Sequence, residues 1–233
     1  MKISVVIPVF NEENHITSCL EHLFDQEVLP DEVIIVDNNS TDKTISLAKK
    51  FPVKILTEKK QGIIPARNKG FDAAKYQILG RIDADTLVPR NWVKGIKKRF
   101  ELDSELVAFS GATFFADQKL ERILKITGKM YYSSFKKIMG SDCLYGPNMA
   151  IRKDAWEKVK DFTCKDDNWV HEDADLSVHL TDKNIGKVVF DPDFLVEVSD
   201  RRWKKISFSY LDYPHRYLKM IFSHNSFFKK LFK

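Results

Sequence analysis

The sequence predicts a mixed α/β domain, a mostly parallel sheet with helices on both faces. Two observations carry this. Strand-like and helix-like stretches alternate through the first half of the chain, the order that yields parallel pairing through crossover helices. The strand-like runs are continuously apolar instead of alternating, as expected of strands buried on both faces. Composition supports a sizeable core. Of 233 residues 43% are apolar, with 17 Phe and 4 Trp, which excludes a largely disordered chain.

Residues 3–9 (ISVVIPV) read as the first strand. In 13–24, Ile16, Leu20, Leu23 and Phe24 share one helical face. Residues 32–37 (EVIIVD) give a second buried strand, and Asn39 or Ser40 is placed to cap a helix from Asp42 to Lys50. A third strand is expected at 53–57 (VKILT), a helix at 66–75, and a fourth strand at 78–82 ending at Asp83. The second half is less regular. A helix is expected at 90–100, a strand at 106–110, and a long helix at 119–139 with Gly128 as its weak point. Extended chain at 143–151, a helix at 172–182 and strand at 187–198 complete the body, 1–200. A tail follows over 201–233, where Pro214 breaks any long helix.

Charge is unevenly spread. The formal net charge is +5, yet residues 201–233 carry nine Lys/Arg against Asp212 alone, a local +8 that leaves 1–200 at −3. This asymmetry suits an anionic partner for the tail and not for the body. Cys19, Cys143 and Cys164 are odd in number and widely spaced, so neither a disulfide framework nor a cysteine zinc site is expected, and a reducing compartment is the simpler reading. The opening apolar run is short for a secretory leader, and no run approaches the ~20 apolar residues of a spanning helix. The expectation is a cytoplasmic protein, at most peripheral at the inner face of the membrane.

Acidic residues recur where the buried strands end. Asp37 closes the second, Asp83 and Asp85 close the fourth, and Glu12 lies just past the first. Open parallel sheets place ligands beyond the carboxyl ends of their strands. Carboxylates converging there would repel one another, and a hard divalent cation is the natural compensation. Asp83-Ala84-Asp85 would put both carboxylates on one side of an extended segment, one binding the metal and the other orienting sugar or ribose hydroxyls. Each aspartate alone also suits a cap or turn, Asp37 above all because Asn38-Asn39-Ser40 follows it.

The segments VVIPVFNEE (5–13), EVIIVDNNSTDKT (32–44), GIIPARNKG (62–70) and DADT (83–86) resemble, in order and at suitable spacing, those of family 2 inverting glycosyltransferases with the GT-A fold. The resemblance covers about residues 1–200. It implies a Rossmann-like, mostly parallel central sheet flanked by helices, with a small antiparallel element in the C-terminal half. It further implies a nucleotide-binding half over 1–110 and an acceptor-side half over 111–200. Pro8, Val9 and Glu12 would line the nucleoside pocket, and Asp37 would hydrogen-bond the base, most often uracil. Arg67 would sit near base and diphosphate, Asp83 on the ribose side, and Asp85 would bind Mn2+ or Mg2+ bridging the diphosphate. Gly146-Pro147-Asn148-Met149-Ala150 resembles a segment that closes over the donor sugar, which makes Asn148 a donor contact.

His171-Glu172-Asp173-Ala174-Asp175 resembles the family's ED motif, in which the Asp is the catalytic base, here Asp173. The chemistry agrees: inverting transfer needs one carboxylate to take the acceptor hydroxyl proton, and the first turn of a helix favours its ionised form. The same acids also suit a helix start for stability alone. His171 and His179 flank the motif; either could add a metal ligand, although a lone His is more often a packing residue. Arg201-Arg202-Trp203 is similar to the Arg-Trp end of the QxxRW motif of processive members, with Ser199 where the Gln would be. The departure argues against processive polymerisation. Arg202 would pair with phosphate oxygens, or form part of a surface basic cluster.

These readings imply hexosyl transfer from a nucleotide-sugar, UDP-linked in the first instance, to a saccharide or lipid-linked acceptor, as in making envelope polysaccharide or glycolipid. The rivals are a polyprenyl-phosphate sugar synthase, a non-catalytic nucleotide-binding protein on the same fold, and a nucleotidyltransferase. The last would want a basic Gly-rich loop where VFNEENH stands. The tail mixes aromatic and basic residues, which suits peripheral docking on an anionic membrane through 201–233 or packing on the domain. Nucleic acid is excluded as a partner by the acidic body.

Overall fold

The computed structural model describes residues 1–115, 130–167 and 169–199, together with residues 216, 217, 219, 222 and 224. Eight strands form one sheet: β1 (Ile3–Val9), β2 (Glu32–Asp37), β3 (Lys54–Thr57), β4 (Ile78–Arg81), β5 (Thr86–Leu87), β6 (Leu106–Phe114), β7 (Met149–Arg152) and β8 (Lys187–Val198). The helices are α1 (Ile16–Phe24), α2 (Thr44–Ala48), α3 (Ile63–Ala73), α4 (Trp92–Leu102), α5 (130–139), α6 (Lys153–Val159) and α7 (Glu172–Asp182). The strand order is β3-β2-β1-β4-β7-β6-β8-β5. β1 pairs in parallel with β2 and β4, and β2 with β3. β7 then runs antiparallel between β4 and β6, β8 runs parallel to β6, and β5 antiparallel to β8. The antiparallel element therefore knits the first-half sheet to the second half.

The continuous apolar runs explain the layering. Alternate side chains of a strand point to opposite faces. Ile3, Val5, Ile7 and Val9 of β1 join Val33 and Ile35 of β2 in one core, under α1 and α4. Val6, Ile34 and Val36 enter a second core beneath Ala66 and Phe71 of α3, Trp156 of α6 and Leu176 of α7. α3 lies so close to β1 that a Cβ on Gly70 would come within 2.2 Å of Val6 Cγ1; only glycine admits that approach.

Several element boundaries differ from expectation. Residues 12–15 form a turn, with His15 and Ile16 N–H on the Glu12 carbonyl, so α1 starts at Ile16. Asn39 and Ser40 do not cap α2. Asp42 Oδ1 accepts the Thr44 N–H at 2.9 Å, while Ser40 Oγ accepts the Asn11 N–H. Residues 83–86 are a turn closed by the Thr86 N–H on Asp83 O at 3.1 Å, not an extended segment. The stretch expected to be extended at 143–151 contains a short 3-10 turn, Gly146–Asn148, before β7. α6 was not anticipated, and 119–129 of the expected long helix lie outside the described residues. Among the described residues no helix is long and apolar enough to cross a membrane.

Candidate active site

The loops after β1 and β2 hold each other in place. Asn11 N–H donates to Ser40 Oγ (3.1 Å), Thr41 N–H to Asn11 Oδ1 (2.8 Å), Glu12 N–H to Thr44 Oγ1 (2.7 Å) and Glu13 N–H to Asp42 Oδ2 (3.0 Å). Asn11 and Asn39 take positive φ, 54° and 70°, which asparagine tolerates better than most residues. Asp37 Oδ1 accepts the Ser40 N–H at 2.9 Å, the turn role that its NNS context suggests. Asn38 donates to Glu58 O and Lys60 O and accepts from Gly62 N, tying the loop after β3 to the start of α3. Polar side chains thus build a rigid rim at the carboxyl ends of β1–β3, with Pro8 and Val9 buried beneath it.

A second network joins β4 to α7. Arg81 ends β4 between apolar neighbours and is 3% exposed. Its Nη2 lies 3.1 Å from Asp83 Oδ1 and its Nη1 pairs with Glu172 Oε1. Arg67, with no exposed surface, pairs through Nη1 with Glu172 Oε2 at 2.5 Å and packs 5.2 Å from the Trp156 ring. One buried carboxylate therefore serves two buried guanidinia. Burial pushes the Glu172 carboxyl up, but Arg81 and then Arg67 outweigh it and hold it below the ordinary glutamate value. Asp173 follows in the first turn of α7, half-buried. Its Oδ2 accepts the Gly146 N–H and its Oδ1 the Ala174 N–H, both at 2.8 Å. Burial, and next the Glu172 charge, raise its pKa against the pull of Arg81. Gly146 must be glycine: a Cβ there would lie 2.6 Å from Arg81 Cζ. Arg81 thus pairs with Asp83 and also acts, through its charge, on the candidate base Asp173.

The third feature is carboxylate-rich. Asp85, 9% exposed, lines a cavity of about 200 Å³ with His15, Ser18 and Glu197. Buried Cys19 lies beneath, and after burial itself the Asp85, Asp83 and Glu12 charges push its thiol pKa up. The charges of Glu12, Asp83 and Asp85, from two separate strand ends, are thus all felt at Cys19.

Two sequence-derived positions lie deep in the packing. Asn148 is fully buried; its Oδ1 accepts the Trp92 Nε1–H at 2.9 Å, and its amide protons go to Ala112 O (2.9 Å) and Phe194 O (2.8 Å). With its amide protons on these backbone carbonyls it joins β6 to β8. Arg67 is fully buried between Glu172 and the Trp156 ring. Arg202 lies outside the described residues. Arg81 and Glu172 were not singled out as site residues. The signal was present for Arg81, an arginine inside the apolar run ILGRI, which demands a buried partner.

Set beside known proteins, this geometry finds a family. Residues 4–160 match the model of glycosyl transferase family 2. Glycosyltransferase GlyG of Streptococcus pneumoniae serotype 4 is 31% identical over 112 residues, 45% of this chain and 37% of that protein. The chain spans well under half the length of the curated relatives it matches. Mannosyltransferase PcManGT of Pyrobaculum calidifontis, solved with GDP-Man and Mn2+, superposes with a TM-score of 0.65 at 22% identity, over 84% of this chain and 56% of that one. S. aureus TarS with UDP-GlcNAc gives 0.65 at 18% identity, over 85% and 58%. At those identities the structures speak to the fold, which is the GT-A fold; the family model, spanning both the β1–β3 rim and the Gly146 turn, shows that the chain belongs to glycosyl transferase family 2.

Proposed function

We propose that the chain transfers a sugar from a nucleoside-diphosphate donor to an acceptor hydroxyl with inversion, Asp173 acting as general base. The observation that carries this is the placement of Asp173. In the first turn of α7 it is fixed by two backbone N–H groups, beside a glutamate paired with Arg67 and Arg81, and Arg81 also holds Asp83 on the donor side. A base must be oriented and have a pKa lifted toward its working range, and burial beside Glu172 supplies the lift. Solved neighbours carry UDP-GlcNAc and GDP-Man; a uridine donor is our choice between them. Asp37 and the rim of Pro8, Val9 and Glu12 would receive the nucleoside. The division of labour between residues 1–110 and 111–200 is part of the same proposal, with the β4–β7 pair as its seam.

Asp85 and Glu197 line one cavity and offer carboxylate oxygens, the ligand type that Mn2+ and Mg2+ prefer. Asp85 would hold the cation, which when bound would offset charge on the diphosphate. The chain's own residues do the rest: Asp83 orients the ribose side, Arg81 fixes Asp83, and Asp173 takes the acceptor proton. Nucleotide release from UDP- and GDP-sugars, with acceptor pools and Mn2+ or chelator, tests the proposal. Asp173→Asn is expected to leave donor binding intact and lower turnover about 100-fold. A fully active Asp173→Asn enzyme would refute the base. A phosphorylated lipid acceptor turned over equally by both would favour the polyprenyl-phosphate synthase.

A further inference from the structure

Two residues beyond the candidate base, α7 and the C-terminal segment share a second cluster of ligating side chains. Asp175 is 1% exposed. Its Oδ2 accepts the Cys164 N–H at 2.8 Å. Its Oδ1 faces two imidazoles, His224 Nε2 at 2.8 Å and His179 Nε2 at 3.6 Å. The rings stand edge to face with centroids 4.7 Å apart, and all three ligand atoms lie within 4.8 Å of one another. Asp175 and His179 are one helical turn apart on α7, so a single face presents both. His224 comes from 49 residues further along the chain than Asp175.

We propose that Asp175, His179 and His224 form a site for a borderline divalent cation of the Zn2+ class, separate from the carboxylate site at Asp85. The donor set points to the metal. Two imidazole nitrogens and one carboxylate oxygen are typical zinc ligands, with a fourth position left for water, whereas Mn2+ and Mg2+ prefer all-oxygen sets. Two of the three spacings fit as well. Zinc–ligand bonds of about 2.0–2.1 Å place tetrahedral ligands roughly 3.3 Å apart, and the two Asp175 contacts, 2.8 and 3.6 Å, bracket that edge. A hydrogen bond between Asp175 and His224 accounts for one contact. It leaves His179 Nε2 at 3.6 Å, too long to share it. Coordination would engage both rings, each presenting Nε2 with its remaining proton on Nδ1.

The consequence is mechanical. Tyr217 packs on Tyr131 with ring centroids 5.1 Å apart, and Lys219 sits 4.9 Å from the Trp169 ring. A cation on His224 would fasten this segment to the helix that carries Asp173, less than one turn from it. The inference stands whether or not the transferase reading does.

The test uses the untagged full-length chain, stripped with chelator and titrated with Zn2+ by calorimetry, with bound metal counted by mass spectrometry. Co2+ supplies a visible-absorption readout of tetrahedral coordination. One equivalent is expected in the wild type without any nucleotide-sugar, and equally in Asp85→Ala. His179→Gln and His224→Gln, checked for folding by circular dichroism, are expected to lose that equivalent and the Co2+ bands. Absence of bound Zn2+ in the wild type, or wild-type affinity in either histidine variant, would overturn the site. Because Asp85→Ala removes only the proposed diphosphate cation, its loss of Mn2+-dependent donor binding is read independently.

Discussion

Asp83 and Asp85 stand two residues apart, yet they have different partners: Asp83 pairs with Arg81, while Asp85 lines the cavity with His15 and Glu197. The turn at 83–86 is the cause, because it breaks the side-to-side alternation an extended segment would impose. Their roles should therefore separate on mutation. Asp85→Ala is expected to abolish the metal-dependent part of donor affinity measured by calorimetry. Unchanged affinity with Mn2+ present would remove Asp85 as the ligand. Asp83→Asn should instead leave metal dependence in place and weaken donor binding, because a neutral amide keeps a carbonyl toward Arg81 but loses the charge. At this scale the strand-end carboxylates were legible in the sequence. The backbone partners of Asn148 were not, because the carbonyls of Ala112 and Phe194 are distant in the chain.

Among the elements, the Gly146–Asn148 turn has the greatest influence relative to its length. Its backbone gives Asp173 a hydrogen bond, its first residue makes room for Arg81, and its last joins Trp92, β6 and β8. Gly146→Ala would force a methyl to 2.6 Å from a guanidinium carbon already committed to Glu172 and Asp83. The expected cost is that of overpacking, about 1–3 kcal/mol by denaturant unfolding, with a larger loss of turnover than of donor binding because Asp173 loses its fixed donor. Wild-type stability and turnover in this variant would show that the turn can shift freely. The expected cap on α2 failed for a related reason. Ser40 and Asn39 are good caps, but the loops they occupy are needed to bind Asn11 and the chain at Lys59–Gln61, and Asp42 takes the N–H instead.

For the whole molecule, Glu172 is where α3, β4 and α7 are electrostatically joined. Removing it as Glu172→Ala would leave two buried guanidinia without their shared carboxylate, a loss of about 3–5 kcal/mol in unfolding free energy. Its pH signature has a definite sign. The folded-state pKa lies below the ordinary value of about 4.3. Its contribution is therefore complete above that pH and is lost as pH falls through the folded value. Acid unfolding curves of wild type and Glu172→Gln should converge below that range and diverge above it; parallel curves throughout would deny the ion pairs their role. The sequence by itself determined the layered α/β architecture, the strand-end acids and the position of Asp173 at a helix start, since these follow from local periodicity and residue chemistry. Only the tertiary structure decided that Arg67 and Arg81 share Glu172, that Asn148 is spent on backbone, and that His224 reaches Asp175. Those pairings span tens of residues, and a charge or amide buried far along the chain takes whichever partner the packed sheet brings within a few ångströms.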